Sequence, residues 1–268
     1  MPYCNKCGTE LDDDARFCAK CGAPVTQQAA NAPVTVAHRG TPMSSTNIII
    51  ITVVGVLVIT GTIYMSRQQS AAGTIIGSAT MVTRDLNLSG FTSVSVNSGF
   101  KYDIARSDTY RVTVTSNDNL VDYIQIYKTS STLQVLLKPG YSFQSTSLKV
   151  VIGMPNLYGL ELNGGANGNV SGFSSSHDFD LTSSGGATVN MTGEGGDLSI
   201  EASGGCRLDL SGFHVASANV NMSGGCEASI NLDGKIDATL SGGARLTYVG
   251  NPTMGNINTS GGGTISRK

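Results

Sequence analysis

Four cysteines lie close together at the start of the chain. Cys4 and Cys7 form one Cys-x-x-Cys pair, and Cys18 and Cys21 form a second pair after a spacer of ten residues. Each pair can present two thiolates from one tight turn, and four thiolates complete the tetrahedral ligand set of structural Zn²⁺. The spacing therefore predicts one structural zinc site with these four cysteines as ligands. Two disulfides are the alternative, which a reducing cytosol disfavours.

The segment that would hold this zinc ion, residues 1–25, is too short to bury a core of its own. The metal would therefore supply the free energy of folding. The stretch CNKCGTELDDDARFCAKCG resembles the zinc-ribbon modules at the N-termini of prokaryotic membrane proteins. Its three basic residues are opposed by four acidic ones, which excludes the basic footprint of a nucleic-acid-binding module. We expect a structural ribbon that contacts a cytosolic protein partner.

A long uncharged segment follows a polar linker. Residues 26–46 are rich in Pro, Ala, Gln, Thr and Ser, a composition that predicts a disordered linker. Ile48–Met65 is predominantly apolar, and as a helix it would be about 27 Å long, close to the hydrocarbon thickness of a bilayer. We predict a single transmembrane helix at 47–66 and a juxtamembrane linker at 67–83. A buried β-rich segment is the alternative, because Ile, Val and Thr favour strands.

Positive charges flank the predicted transmembrane helix on both sides, so their distribution does not set its orientation. Zinc thiolates, in contrast, need a reducing compartment. We therefore place the N-terminus in the cytoplasm and the C-terminal domain on the extracytoplasmic side of the cell membrane.

Residues 84–268 alternate polar and apolar side chains nearly throughout, which predicts an all-β domain. A Gly-Gly pair recurs in it with spacings of 21, 19, 20, 18 and 19 residues. Short strands separated by such bends are typical of a parallel β-helix or related β-solenoid, in which each coil pairs with the next. A Greek-key sandwich is the alternative, although it does not require the same bend in every repeat. The pairs begin at Gly164, Gly185, Gly204, Gly224, Gly242 and Gly261.

Three columns of equivalent repeat positions predict the core, and we expect them to point inward. Four residues before each glycine pair stand Leu160, Leu181, Ile200, Val220, Ala238 and Ile257. Four residues after its first glycine stand Gly168, Val189, Leu208, Ala228, Leu246 and Ile265. A column of small residues contains Ala166, Ala187, Cys206, Cys226, Ala244 and Gly263. Its two cysteines are either small buried residues or a disulfide between neighbouring coils.

Before the repeats, strands are predicted at FTSVSV, YRVTVT, YIQIY, TLQVLL and LKVVIGMP. With RDLNLSGFTSVSVNSGFKYDIARSD, LKVVIGMPNLYGLELNGGANGNVSG and the later SGG repeats, the stretch from Arg84 to Arg267 resembles the prokaryotic auto-transporter adhesin head GIN domain family. The resemblance implies a right-handed β-helix-like domain that is exported. It carries over no functional residues.

The β-domain offers weak candidates for catalysis. Glu161 and Glu201 occupy equivalent repeat positions, but a full repeat separates them, which places the carboxylates about 10 Å apart. His177 with Asp178 and Asp180 forms the best local cluster of titratable residues. A solvated bend explains that cluster better than an active site does. We predict a non-enzymatic protein without catalytic residues or a small-molecule cofactor.

The net charge of -2 excludes a chain that wraps polyanions. Together, these features predict a single-pass membrane-anchored envelope protein whose β-helix contacts cell-wall, glycan or protein ligands. Three alternatives remain open: a transmembrane sensor, a structural solenoid that self-assembles into homo-oligomers, and an enzyme acting on polysaccharides.

Overall fold

β-Strands make up almost all of the structure. The computed structural model describes residues 73–268, in which the one helical element is a 3₁₀ turn at Asp118–Tyr123. The predicted zinc ribbon, linker and transmembrane helix, at 1–25, 26–46 and 47–66, lie outside these residues. Within residues 73–268, no helix is long and apolar enough to cross a membrane.

All five strands predicted before the repeats are confirmed, among nine in that region. The nine are β1 (Thr74–Ile76), β2 (Met81–Leu86), β3 (Ser93–Val96), β4 (Lys101–Arg106), β5 (Arg111–Asn117), β6 (Ile124–Thr129), β7 (Thr132–Leu137), β8 (Ser142–Gln144) and β9 (Leu148–Met154). The repeats supply β10 (Gly159–Leu162), β11 (Asn167–Ser174), β12 (Phe179–Gly185), β13 (Thr188–Glu194), β14 (Leu198–Gly204), β15 (Arg207–Val215), β16 (Ala218–Met222), β17 (Glu227–Leu232), β18 (Lys235–Leu240), β19 (Arg245–Val249), β20 (Thr253–Thr259) and β21 (Thr264–Arg267).

Two large sheets enclose the core. The nine-stranded sheet has the order β20-β18-β16-β14-β12-β10-β3-β7-β6, and the ten-stranded sheet has the order β2-β5-β9-β4-β11-β13-β15-β17-β19-β21. From β10 to β21 the chain alternates between the sheets, so each repeat adds one parallel strand to each. The predicted β-solenoid is confirmed, with two strands per coil. The Greek-key alternative is wrong, because the strands of the repeats pair in parallel.

The predicted columns are confirmed by the register of the strands. The first column runs in register from Leu160 through every coil to Ile257. The second column runs from Gly168 to Ile265 in the same way. In the column of small residues, the five side chains from Ala166 to Ala244 are almost completely buried. The hydrophobic core therefore repeats with the coil.

Tyr102 occupies the space that Gly168 leaves in the second column. The two residues are register partners, and a Cβ at Gly168 would collide with the backbone carbonyl of Tyr102. The buried Tyr102 hydroxyl donates a hydrogen bond to the carbonyl of Thr188 at 2.9 Å, and burial raises its pKa. One glycine thus makes room for one aromatic ring from the neighbouring coil.

The first coils do not stack in chain order, which the sequence does not predict. The β3–β4 coil pairs with β7 and β9 on one side and with β10 and β11 on the other. The segment 155–158 therefore connects β9 to β10 past the β3–β4 coil. The outermost pairings at this end, β2–β5, β5–β9 and β6–β7, are antiparallel.

The β-domain also begins before residue 84, where we placed its boundary. β1 and much of β2 lie within 67–83, the stretch predicted as a juxtamembrane linker. β1 pairs with β8, and β2 pairs with β5. The sequence gives little signal here because both strands are at sheet edges and most of their residues are exposed.

Cys206 and Cys226 form a disulfide between neighbouring coils, with their Cα atoms 4.5 Å apart. Both residues are also buried in the column of small residues. The bond is compatible with the spacing of adjacent strands, since about 4.8 Å separates one parallel strand from the next. Of the two alternatives for this pair, the disulfide is the one found.

The glycine pair at 224 and 225 gives a matched test of the bend. Gly224 has a φ of 75°, and a Cβ there would lie 2.5 Å from the Gly204 carbonyl oxygen, whereas a Cβ at Gly225 would lie 3.8 Å from the same atom. We expect Gly224→Ala to lower the free energy of unfolding by about 1–3 kcal/mol, because left-handed backbone and a steric clash combine. Gly225→Ala should change it little. Denaturant unfolding of both variants measures this, and equal effects would contradict the bend geometry.

Candidate functional site

The four cysteines predicted to bind zinc, Cys4, Cys7, Cys18 and Cys21, lie outside residues 73–268. Within the described part of the chain, no group of three or more His, Cys, Asp or Glu side chains is placed to hold a metal ion.

A cavity lies at one corner of the solenoid, and we call it the corner pocket. It has a volume of about 380 Å³ and lies where strands of the ten-stranded sheet end and the chain turns toward the nine-stranded sheet. Its floor is formed by buried Leu157, Phe173, Phe179 and Phe213. Its rim carries the exposed polar side chains of Arg106, Asn156, Ser174, His177 and Glu194.

Hydrogen bonds fix much of the rim. The Ser174 hydroxyl donates to the Glu194 carboxylate at 2.7 Å, and the backbone N–H of His177 donates to the Ser175 hydroxyl at 3.0 Å. The imidazole of His177 also packs against the ring of Tyr158, with the centroids 4.6 Å apart. The rim thus offers a carboxylate, an imidazole and a hydroxyl in defined positions.

The floor is aromatic and the rim contains a positive charge. The rings of Phe179 and Phe213 meet edge to face at 5.6 Å. Arg106 forms an ion pair of 2.7 Å with Asp108, and its side chain is 51% exposed. A guanidinium this accessible can still donate hydrogen bonds to a ligand. The pocket combines donors and acceptors around an apolar surface, which suits a small polar ligand with one apolar face.

Extra residues at this corner create the pocket. The register between β11 and β13 shifts between Val170 and Phe173, and β15 carries three extra residues relative to β17 between Leu210 and His214. Gly193 has a φ of 137°, a value that favours glycine. The strands therefore bulge beside the pocket, whereas the pairing of β17 with β19 is regular.

In the cluster predicted at the bend, the structure separates His177 from the two aspartates. His177 lies on the rim of the corner pocket, while Asp178 accepts a hydrogen bond from the backbone N–H of Asp197 at 3.1 Å. Asp180 is exposed in the nine-stranded sheet, and it lines with Asp178 a second cavity of about 390 Å³, whose lining also includes Lys235. The prediction that these residues form a solvated bend fits the two aspartates. It does not anticipate that His177 lines a pocket with Glu194 and Arg106, because these residues come from other coils.

The other predicted pair is also separated. Glu161 and Glu201 are both register partners of Thr182, on its two sides. One intervening strand keeps the two carboxylates apart, as the repeat predicts. Neither side chain lines the corner pocket.

Charged and polar side chains form ladders on the outer face of the ten-stranded sheet. Arg207 and Glu227, which the repeat places in adjacent coils, form an ion pair of 2.9 Å. Asp103 accepts hydrogen bonds from Lys149 at 2.8 Å and from Asn169 at 3.2 Å. The Lys149 hydrogen bond is the main cause that holds the pKa of Asp103 below its ordinary value.

The pKa of Asp103 gives a test of this ladder. Lys149→Met should raise that pKa toward the ordinary value of about 3.9, because it removes the principal hydrogen bond. Since the folded pKa is lowered, the ion pair stabilises the fold above pH of about 4, and this contribution is lost as the pH falls through the folded pKa. The contribution is below about 1 kcal/mol, because both side chains are partly exposed.

NMR titration of the Asp103 carboxyl carbon measures the shift. Lys101→Met is the matched control, because Lys101 is the register partner of Lys149 and does not bond to Asp103 in the described residues. An unchanged Asp103 pKa in Lys149→Met would contradict the assignment.

The fold and the corner pocket define a two-sheet β-solenoid with a ligand-sized cleft at one corner. Residues 90–252 match the family described as "Putative auto-transporter adhesin, head GIN domain", and residues 3–25 match the zinc-ribbon domain. The first match covers more than half of the 268 residues. The chain therefore belongs to the head GIN domain family and carries an N-terminal zinc-ribbon domain.

Solved structures share this fold. A protein from Bacteroides fragilis, described as a "putative adhesin", has a TM-score of 0.56 and 19% identity, over 72% of this chain and 100% of its own. A Parabacteroides distasonis protein, described as a "putative lipid binding protein", has a TM-score of 0.51 and 19% identity, over 73% of this chain and 100% of its own. At identities this low, the two matches show that the fold is shared, and they do not assign a function to this chain. No match was found among curated proteins.

Proposed function

We propose that this chain is a single-pass membrane-anchored envelope protein whose β-solenoid binds a glycan outside the cell. The family, whose description names adhesins, supports a role in binding extracellular ligands. The relatives are described as adhesins or as lipid-binding, and none of these descriptions names an enzyme. The transmembrane helix at 47–66 supplies the anchor, and the zinc ribbon binds a cytosolic protein.

The corner pocket is the observation that carries the choice of ligand. Its volume of about 380 Å³ falls within the range of small-molecule sites, roughly 300–1,000 Å³. A sugar ring presents hydroxyl groups at its edge and C–H groups on one face. Glu194, Arg106 and Asn156 can hydrogen-bond the hydroxyl groups, and the aromatic floor of the pocket can contact the apolar face. A glycan therefore suits the pocket better than a flat protein surface does.

The cysteines support the proposed orientation. Cys206 and Cys226 form a disulfide, which persists in oxidising compartments and is rare in the cytosol. The four N-terminal cysteines have zinc-ligand spacing, which suits a reducing compartment. The disulfide therefore favours the extracytoplasmic side for the β-domain, and the N-terminal cysteines favour the cytoplasmic side.

Binding of glycans to the full chain in detergent or nanodiscs tests the pocket. A glycan array identifies the ligand, and calorimetry then compares variants. We expect Glu194→Gln to weaken binding about tenfold, or about 1.4 kcal/mol, because a hydrogen bond to a charged acceptor is lost. Glu201→Gln is the matched control, because Glu201 is equally charged and exposed but lies outside the pocket. Equal losses in the two variants, or no glycan bound by the wild-type chain, would contradict the proposal.

Zinc content tests the ribbon. Zn²⁺ on four thiolates would hold residues 1–25 in a folded state. Elemental analysis of the purified full chain should give one zinc ion per chain, and Cys4→Ser with Cys18→Ser should lose it. The double variant Cys206→Ala with Cys226→Ala serves as the control and should retain the zinc. Zinc that stays after the first pair of substitutions would show that these cysteines are not its ligands.

A further inference from the structure

One end of the solenoid carries most of its exposed large apolar side chains. β2 and β6 are the edge strands of the two sheets there, and β1 pairs with β8 beside them. We call β1, β2, β6 and β8, with residues 118–123 before β6 and residues 138–141 before β8, the cap end. The exposed large apolar side chains of the described residues are Ile76, Met81, Tyr127, Tyr141, Val151 and Met254. The first four belong to the cap end, so exposure of apolar surface is concentrated there.

Aromatic rings extend this surface. The rings of Tyr123, Tyr141 and Phe143 form a cluster with centroid separations of 4.9, 5.8 and 6.2 Å. Phe143 is the register partner of Ile75, and the side chain of Ile76, next in the same strand, is 62% exposed. Because successive side chains of a strand point to opposite faces, Ile76 adds exposed apolar surface on the face of β1 opposite to this aromatic cluster.

An apolar groove opens at the same end. It has a volume of about 130 Å³ and lies between β2, β5 and the segment from Val121 to β6. Val82, Leu86, Ile124 and Ile126 line it and are only partly buried. The apolar interior between the sheets is therefore incompletely covered by the described residues at this end.

The length of chain before β1 indicates what covers this surface. The predicted transmembrane helix ends at residue 66 and β1 begins at Thr74, which leaves seven residues between them. A fully extended segment of seven residues spans at most about 25 Å. With the proposed transmembrane helix as the anchor, the first strand of the β-domain would lie within this distance of the membrane. Met254, on β20, is eight strand spacings from β6, or about 38 Å.

We infer that the cap end rests on the lipid surface, with Ile76 and Tyr141 in the interfacial region of the outer leaflet. Tyrosine is enriched at this depth because its ring is apolar and its hydroxyl remains hydrated. Large exposed apolar patches mark interaction sites, and a bilayer is the surface that the short tether brings to this one. This inference rests on the membrane anchoring proposed above, and it fixes which end of the solenoid faces the membrane. The residues that line the corner pocket do not belong to the cap end.

Tryptophan fluorescence tests the inference directly, because the chain contains no tryptophan. The full chain is reconstituted in phosphatidylcholine vesicles as three single-tryptophan variants, Ile76→Trp, Tyr141→Trp and Met254→Trp. Met254 is the matched control, because its side chain is 42% exposed, close to the 45% of Tyr141, and lies at the far edge of the nine-stranded sheet. Circular dichroism confirms that each variant is folded.

For Ile76→Trp and Tyr141→Trp, we expect a blue-shifted emission and a loss of intensity when brominated lipid replaces ordinary lipid. For Met254→Trp, we expect quenching by aqueous acrylamide and no loss with brominated lipid. If the chain floats with vesicles but all three variants respond only to acrylamide, the docking of the cap end is wrong and the anchor stands. If the chain does not float with vesicles, the anchor fails and this inference fails with it.

Discussion

The parallel register between successive coils is the constraint on which the rest of the structure depends. Every backbone ladder from β10 to β21 places equivalent repeat positions beside one another, about 4.8 Å apart. A shift by one residue would turn each inward column outward and expose its apolar side chains. The glycine bends hold this register, because Gly204, Gly224 and Gly242 stack closely with left-handed backbone. The disulfide between Cys206 and Cys226 covalently links two of these coils.

This constraint explains why the repeats were predictable. Any residue four positions from a glycine pair has its partner in the next coil, so Leu181 and Ile200 could be paired by counting along the sequence. The ion pair between Arg207 and Glu227 follows from the same count. Repetition supplies the information that a single strand lacks, since a short alternating segment alone does not specify its neighbour.

The same reasoning fails where repetition stops. The coil of β3 and β4 lies between strands that follow it in the chain, and no periodicity in the sequence predicts that order. Arg106 and Asn156 therefore reach the corner pocket from segments that the repeat does not include. His177 was identified by residue type but grouped with its sequence neighbours rather than with Glu194. The bulges that widen the corner appear in the sequence only as repeats of unequal length.

The chain contains two sets of cysteines that suit different redox conditions. The disulfide of the β-domain is stable under oxidising conditions, whereas the proposed zinc ligands at the N-terminus require reducing conditions. The proposed membrane between them would resolve that conflict, and the uncharged segment at 47–66 would be long enough to cross it as a helix. Display of the solenoid outside the cell would bring the corner pocket to extracellular glycans and the cap end to the lipid surface.

Protease accessibility of the full chain in intact cells tests the central claim most directly. The chain carries one epitope tag at its N-terminus and a different tag at its C-terminus, and protease is added with and without permeabilisation. The account predicts that the C-terminal tag is removed from intact cells and that the N-terminal tag is removed only after permeabilisation. Removal of the N-terminal tag alone from intact cells would place the β-solenoid inside and contradict the account.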